Sequence, residues 1–147
     1  KDRAAVLLDV VETKPMDSKM VTVDATAMAK DIAATGKVAL YGLYFDTDKA
    51  ELKPESAPSL DEIAKLLRGQ PGLKVFIVGH TDNVGGYDYN IGLSQRRANS
   101  VVDRLVQQYG IAADRLKPVG AGLIAPVASN DDDAGRAKNR RVEIVKE

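Results

Sequence analysis

A helical period in the second half of the chain constrains the fold more than any other sequence feature. Its apolar residues recur at i, i+3, i+4, i+7 and i+8, and they are Ala98, Val101, Val102, Leu105 and Val106. This spacing predicts an amphipathic helix with one face in the core. The helix follows a Gly85-Gly86 loop, and an apolar strand ending at Gly79 precedes that loop.

The segments around this helix predict an α+β domain. Apolar or alternating residues predict strands over 38–45, 74–78, 116–119 and 141–145, the first of them central in the sheet. Pro54 begins and Gly69 ends a second helix, and its apolar stripe is Leu60, Ile63, Ala64 and Leu67. The order is βαβαββ-like, so we expect a mixed sheet with two main helices packed on one side.

The first 36 residues are rich in alanine and contain none of the polar loop motifs found later in the chain. Their pattern predicts a strand over 4–11, a turn at 14–17, a short strand over 20–23 and a helix that begins after Asp24 and ends at Gly36. We therefore divide the chain into an N-terminal extension, residues 1–36, and a domain, residues 37–147. The extension is the tail of an upstream domain, an addition to the sheet edge, or a homodimer surface.

Composition excludes several classes of function. The chain has 21 Lys and Arg against 21 Asp and Glu, so no net field favours nucleic acid or an acidic membrane surface. The absence of cysteine excludes disulfides and zinc–thiolate sites. No apolar run approaches the roughly 20 residues of a transmembrane helix. Because the chain begins at Lys1, we expect a signal peptide or an upstream domain before it.

An acid and an arginine lie on either side of the glycine-rich loop. Asp82 follows a predicted strand, and Arg97 shares a helix stripe with Asn90 and Ser94 at i, i+4 and i+7. Such a pair suits a zwitterion, because Asp82 can accept from an ammonium and Arg97 can donate twice to a carboxylate. On residue types alone, a surface ion pair is the commoner explanation.

Four linked motifs occur in order along the chain. They read Phe45-Asp46-Thr47-Asp48-Lys49, Gly79-His80-Thr81-Asp82-Asn83-Val84-Gly85, Asn90-x-x-Leu93-Ser94-x-x-Arg97-Ala98 and Gly135-Arg136-Ala137-x-Asn139-Arg140-Arg141-Val142-Glu143. In this order and spacing they resemble the OmpA-like peptidoglycan-binding domain over about residues 37–147. Two departures are Asp132, where relatives often have threonine, and the basic step at 95–97, and neither involves Asp82 or Arg97.

This resemblance implies a non-enzymatic anchor without a cofactor. The implied partner is the peptidoglycan stem peptide, bound through diaminopimelate, in the periplasm at the outer membrane or cell wall of a Gram-negative bacterium. The site residues implied are Asp82 for the ammonium, Arg97 for the carboxylate, Thr81, Asn90 and Leu93 in the pocket, Arg140 in support, and Asp46 and Asp48 at the rim.

Signals for metal are weak. His80 is the only histidine, and with no cysteine a three-ligand metal site or a catalytic dyad is disfavoured against a structural role in the turn. The run 131–133 lacks the spacing of a calcium loop, so we expect a solvated loop that caps a short helix at Ala134.

Signals for nucleotides or nucleic acid are also weak. The segment 120–125 matches a dinucleotide pattern, but Pro126 follows it, so a tight turn is predicted. The basic residues at 136, 138, 140 and 141 have no stacking aromatics nearby and favour a rim for an anionic cell-wall ligand over nucleic acid.

Two rival functions stay open. A cell-wall hydrolase would use Asp46, Asp48 or Glu51 as acid or base. A protein-interaction adaptor would keep the fold without the wall ligand.

Overall fold

The computed structural model describes residues 23–147. Its elements in chain order are α1 (Ala25–Thr35), β1 (Lys37–Leu40), α2 (Ala57–Gly69), β2 (Val75–His80), α3 (Tyr87–Gln107), β3 (Leu116–Gly122), α4 (Asp133–Asn139) and β4 (Arg141–Lys146), with short 3₁₀ helices at Pro54–Ser56 and Ala113–Arg115. The predicted α+β class is confirmed. The strand expected over 4–11, the turn at 14–17 and all but the last residue of the strand expected over 20–23 lie outside the described residues.

The four strands form one mixed sheet in the order β1-β4-β2-β3. β4 runs antiparallel to both of its neighbours, whereas β2 and β3 are parallel. α3 packs directly across β2 and β3. A Cβ added at Gly79 would lie 2.5 Å from the carbonyl oxygen of Ser94, and one at Gly120 would lie 2.5 Å from the backbone nitrogen of Gln95. Glycine at these two positions therefore permits the close approach that fixes α3 over the strand ends.

The core lies between the helices and one face of the sheet. Alternate strand residues on this face are buried, including Val38, Leu40, Val75, Ile77, Val142 and Ile144. The stripes predicted for the two main helices face them, because Leu60, Ile63, Ala64 and Leu67 of α2 and Ala98, Val101, Val102 and Leu105 of α3 are buried. The prediction of helices on one side of a mixed sheet is therefore confirmed.

The strand expected over 38–45 is shorter than predicted, and its central position was wrong. β1 ends at Leu40, which pairs with Val142, and its partner β4 begins only one residue earlier. Among residues 23–147, β4 is the only neighbour of β1, so β1 lies at the edge of the described sheet. The backbone after β1 forms hydrogen bonds outside the sheet, since the Tyr44 N–H donates to the hydroxyl of Ser56 at 2.8 Å.

The helix predicted after Asp24 is confirmed. The Asp24 carboxylate accepts from the Ala27 N–H at 2.8 Å, and Gly36 ends α1 with φ of 85°. Met28 and Ile32 of α1 are buried in the same core as the sheet and α2. Residues 25–35, placed by sequence in an N-terminal extension, thus contribute side chains to the domain core.

Two predictions about the last third of the chain have different outcomes. The tight turn expected over 120–125 was wrong in its first half, because β3 continues to Gly122 beside α3. The cap expected before Ala134 is confirmed, because the Asp132 carboxylate accepts from the Gly135 N–H at 2.7 Å at the start of α4.

Candidate ligand-binding site

An open cleft of about 660 Å³ lies where β2 ends and α3 begins. Seven of the eight residues proposed from sequence line it: Asp48, Thr81, Asp82, Asn90, Leu93, Arg97 and Arg140. The eighth, Asp46, is not among the lining residues, and its carboxylate pairs with the Lys53 ammonium at 3.1 Å. The cleft thus brings the acid and the arginine singled out from sequence into one concave site.

The end of β2 positions Asp82. The strand register shifts between Gly79 and His80, and pairing continues as the Thr81 N–H donates to the Gly122 carbonyl at 2.8 Å. Asp82 then opens a turn in which its Oδ1 accepts from the Val84 N–H at 3.0 Å. Its Oδ2 accepts from Arg140 Nη1 at 2.6 Å. The side chain of Asp82 is only 11% exposed, so its carboxylate is held in one orientation.

Arg97 of α3 also lines the cleft and is partly buried. Its Nε donates to the Lys49 carbonyl at 2.8 Å and its Nη2 to the Asp46 carbonyl at 3.1 Å. Burial lowers the pKa of Arg97, and the nearby charges of Tyr89, Asp48 and Asp82 oppose that shift. An arginine remains charged at neutral pH even so. The cleft is therefore lined by a positive charge held by the rim loop and by a carboxylate held by the turn after β2.

Polar side chains hold the loop between Asp82 and α3. Asn90 is buried, and its amide donates to the Val84 carbonyl at 2.9 Å. Thr81 is buried as well, and its hydroxyl donates to the Asp82 carbonyl at 2.8 Å. Leu93 adds a buried apolar side chain to the lining. These residues support the site geometry by ordering the loop that carries Asp82.

A second loop forms the rim of the cleft. Asp48 adopts a left-handed backbone with φ of 61°, and its carboxylate accepts from the Tyr89 hydroxyl at 2.6 Å. This hydrogen bond is the largest cause of the raised pKa of Tyr89. Tyr89 and Arg97 both belong to α3, so one helix fixes the rim loop at two points.

A buried charged cluster supports the strand end that carries the site. Arg141 Nε donates to Glu143 Oε2 at 2.8 Å, and His80 Nε2 lies 3.3 Å from Glu143 Oε1. His80 and then Arg141 hold the pKa of Glu143 at about 2, against the effect of burial. His80 thus contacts a carboxylate within the sheet.

Sequence reasoning missed several residues of the cleft wall. These are Tyr41, Leu43, Tyr44, Tyr89 and Ala137. Tyr41, Leu43 and Tyr44 belong to the apolar stretch that predicts a central strand, and that pattern gives no sign of a role in a ligand-binding cleft. Tyr89 directly precedes the Asn90 motif, and this position was the one available signal for it.

No three His, Cys, Asp or Glu side chains within residues 23–147 are grouped so that they could hold a metal ion. None of the helices in that same range has the length and apolar character needed to cross a membrane.

Comparison with known proteins identifies the family. The sequence model of the OmpA family matches residues 44–140, a stretch that contains both the cleft loops and α3. The chain belongs to the OmpA family. The resemblance seen in the four sequence motifs is therefore confirmed.

Individual OmpA-family relatives match over the same region. A probable lipoprotein of Escherichia coli, YiaD, is 45% identical over 101 residues, which are 69% of this chain and 46% of YiaD. The peptidoglycan-binding protein ArfA of Mycobacterium tuberculosis is 46% identical over 101 residues, 69% of this chain and 31% of ArfA. The chain thus spans less than half the length of these curated relatives.

A solved structure shares the OmpA-family fold. The cell wall anchor of the T6SS from Pseudomonas aeruginosa matches with a TM-score of 0.64 and 32% identity, covering 86% of this chain and 99% of that chain.

Proposed function

We propose that this OmpA-family domain binds peptidoglycan non-covalently, through the diaminopimelate of the stem peptide, and anchors an envelope protein to the cell wall in the periplasm. The observation that carries the proposal is that the Asp82 carboxylate and the Arg97 guanidinium line one cleft. The names of two relatives support it, since ArfA is a peptidoglycan-binding protein and the Pseudomonas structure is a cell wall anchor.

The free end of diaminopimelate carries an ammonium and a carboxylate on one carbon. The ammonium binds Asp82, and the carboxylate binds the guanidinium of Arg97, which offers parallel donors in a rigid plane. Binding needs no bond making, because each ligand charge finds an opposite charge already fixed by the fold. Burial of Asp82 strengthens the pairing, because solvent screens it less than a surface pair.

The carboxylates of the rival hydrolase proposal have separate surroundings. Asp46 pairs with Lys53, Asp48 accepts from Tyr89, and Glu51 lines a different groove of about 350 Å³ along α3. This arrangement gives no support to a pair of carboxylates acting on one bond. The binding function is therefore the one that the geometry favours.

Pull-down with purified sacculi tests the proposal. Asp82→Asn and Arg97→Gln each remove one charge from the cleft, and each should weaken binding by about 2–5 kcal/mol, enough to abolish pull-down. The matched controls are Asp88→Asn and Arg96→Gln, because both residues are exposed on α3 and neither lines the cleft. Undiminished pull-down by both cleft variants would refute the site.

Calorimetric titration tests the ligand. A tripeptide that contains diaminopimelate should bind, and its lysine counterpart, which lacks the side-chain carboxylate, should bind more weakly. Equal affinity for the two peptides would show that the protein does not recognise the side-chain carboxylate of diaminopimelate. Release of soluble fragments from the sacculi would instead favour a hydrolase.

A further inference from the structure

The proposed ammonium acceptor already has a cationic partner in the structure. Arg140 Nη1 lies 2.6 Å from Asp82 Oδ2, and the other carboxylate oxygen is taken by the Val84 N–H at 3.0 Å. With 11% of the Asp82 side chain exposed, little of the carboxylate is left for another donor. An incoming ammonium therefore meets an occupied site.

The two partners of this pair differ in freedom. The Arg140 side chain is 51% exposed and extends from the residue that directly follows the short helix α4. Its guanidinium can leave Asp82 and reach solvent or a ligand without unfolding any element. Asp82 cannot move in the same way, because the turn to Val84 fixes it.

The charges around the pair are unequal. Arg140 and Arg97 line the same cleft and are close enough to repel one another. They face one buried carboxylate, that of Asp82, while the Asp48 carboxylate at the rim is engaged by Tyr89. Within residues 23–147, Asp82 and Asp48 are the only carboxylates that line the cleft, so an arginine displaced from Asp82 gains a further anionic partner there only when the ligand brings one.

We propose that Arg140 is an internal competitor for Asp82 that makes this cleft selective for zwitterions over simple amines. The inference rests on the proposed function and deepens it. A zwitterionic ligand replaces the guanidinium at Asp82 with its ammonium and gives the released Arg140 its carboxylate, shared with Arg97. A lysine-type ligand displaces Arg140 but has no carboxylate to bind the released guanidinium. Selectivity therefore comes from a less favourable binding free energy for the lysine-type ligand.

Titration calorimetry of Arg140 variants tests this role. The probes are the diaminopimelate tripeptide and its lysine counterpart. In Arg140→Gln, Asp82 loses its competitor, so affinity for the lysine peptide should rise severalfold while affinity for the diaminopimelate peptide falls. The ratio of the two affinities should then drop by about tenfold or more. Arg140→Lys keeps a cation beside Asp82 and should keep the lysine peptide excluded.

Lys138→Gln is the matched control. It removes one positive charge from α4, two residues before Arg140, at an exposed residue that does not line the cleft. It should leave the ratio unchanged, and circular dichroism of each variant checks whether that variant is folded. If Arg140→Gln fails to fold, both peptides are titrated against Arg140→Lys at increasing salt concentration. The proposal is overturned if the ratio of the two affinities stays unchanged and the affinity for the lysine peptide does not rise at high salt.

The outcomes separate the two proposals. If the wild-type protein binds neither peptide, or if Asp82→Asn binds as well as wild type, the proposed function fails and this inference fails with it. If the wild type binds the diaminopimelate peptide through Asp82, but Arg140→Gln changes both affinities by the same factor, only the competitor role is overturned.

Discussion

The guanidinium carbon of Arg97 lies 4.8 Å from the ring centroid of Phe45. The same guanidinium donates to the carbonyls of Lys49 and Asp46. A cation over an aromatic face and two charge-assisted hydrogen bonds hold one side chain in one plane. Arg97 therefore fixes the rim loop to α3 and is itself oriented by that loop, so the carboxylate binding proposed for Arg97 would be coupled to the position of the rim.

The first prediction concerns Arg97→Lys. The charge is kept, but an ammonium cannot reproduce the planar fork that reaches both carbonyls and stacks on Phe45. We expect a loss of about 1 kcal/mol in the free energy of unfolding, measured in urea, and at least a tenfold loss of affinity for the diaminopimelate tripeptide. Arg96→Lys, one residue away and exposed, should match the wild type. Wild-type affinity in Arg97→Lys would show that charge alone is sufficient.

The second prediction concerns the contact between α3 and the sheet. In Gly120→Ala the new methyl group would lie 2.5 Å from the Gln95 nitrogen and 2.8 Å from the Ile91 carbonyl oxygen, both in the helix backbone. Relief requires α3 to move, so unfolding should become easier by about 1–3 kcal/mol, and ligand affinity should fall because Arg97 moves with the helix. Gly72→Ala meets nothing within 4 Å and serves as the control. Equal thermal midpoints for the two variants would contradict this packing argument.

Much of the fold could be predicted because its helices are periodic. The stripes of α2 and α3 repeat at helical spacing, and every residue predicted for them is buried except Val106, which is partly buried. The prediction of a strand over the whole of 38–45 was wrong because this stretch has apolar residues without a decisive period. Its apolar residues are real, but Leu43 and Phe45 pack against the core from an irregular segment, and a run of apolar residues does not say whether a neighbouring strand is present.

The sequence could predict which residues line the candidate site, but not which of them contact one another. Residue types and positions identified Asp82 and Arg97, the resemblance to the OmpA-like domain added Arg140, and all three line the cleft. Which arginine contacts Asp82 depends on where α4 ends relative to β2, a tertiary relationship between residues 58 positions apart. The same limit applies to Asp46, whose backbone carbonyl accepts from Arg97 while its side chain turns to Lys53.

The third prediction concerns the rim. The Tyr89 hydroxyl donates to Asp48, and the carboxylate raises the pKa of Tyr89 because it stabilises the protonated phenol. Spectrophotometric titration of wild type against Tyr89→Phe should isolate one phenol that ionises later than ordinary tyrosine. In Asp48→Asn the pKa of that phenol should move back towards its ordinary value. No difference between wild type and Asp48→Asn would mean that the rim hydrogen bond is not maintained in solution.

The fourth prediction concerns acid stability. His80 and Arg141 depress the pKa of Glu143 to about 2 from an ordinary 4.5, so the unfolded chain takes up this proton first as pH falls. Stability from Glu143 is complete above about pH 4.5 and is lost between pH 4.5 and 2, by roughly 3 kcal/mol at most.

Urea denaturation at a series of pH values measures this loss. Glu143→Gln should start less stable at neutral pH, because it leaves the buried Arg141 without its carboxylate, yet lose less stability on acidification. Glu51→Gln, at an exposed site, should keep the wild-type slope. Should Glu143→Gln prove too unstable, the double variant Arg141→Met with Glu143→Leu removes both charges together and should show the same shallow slope. A wild-type slope in these variants would place the acid sensitivity elsewhere in the domain.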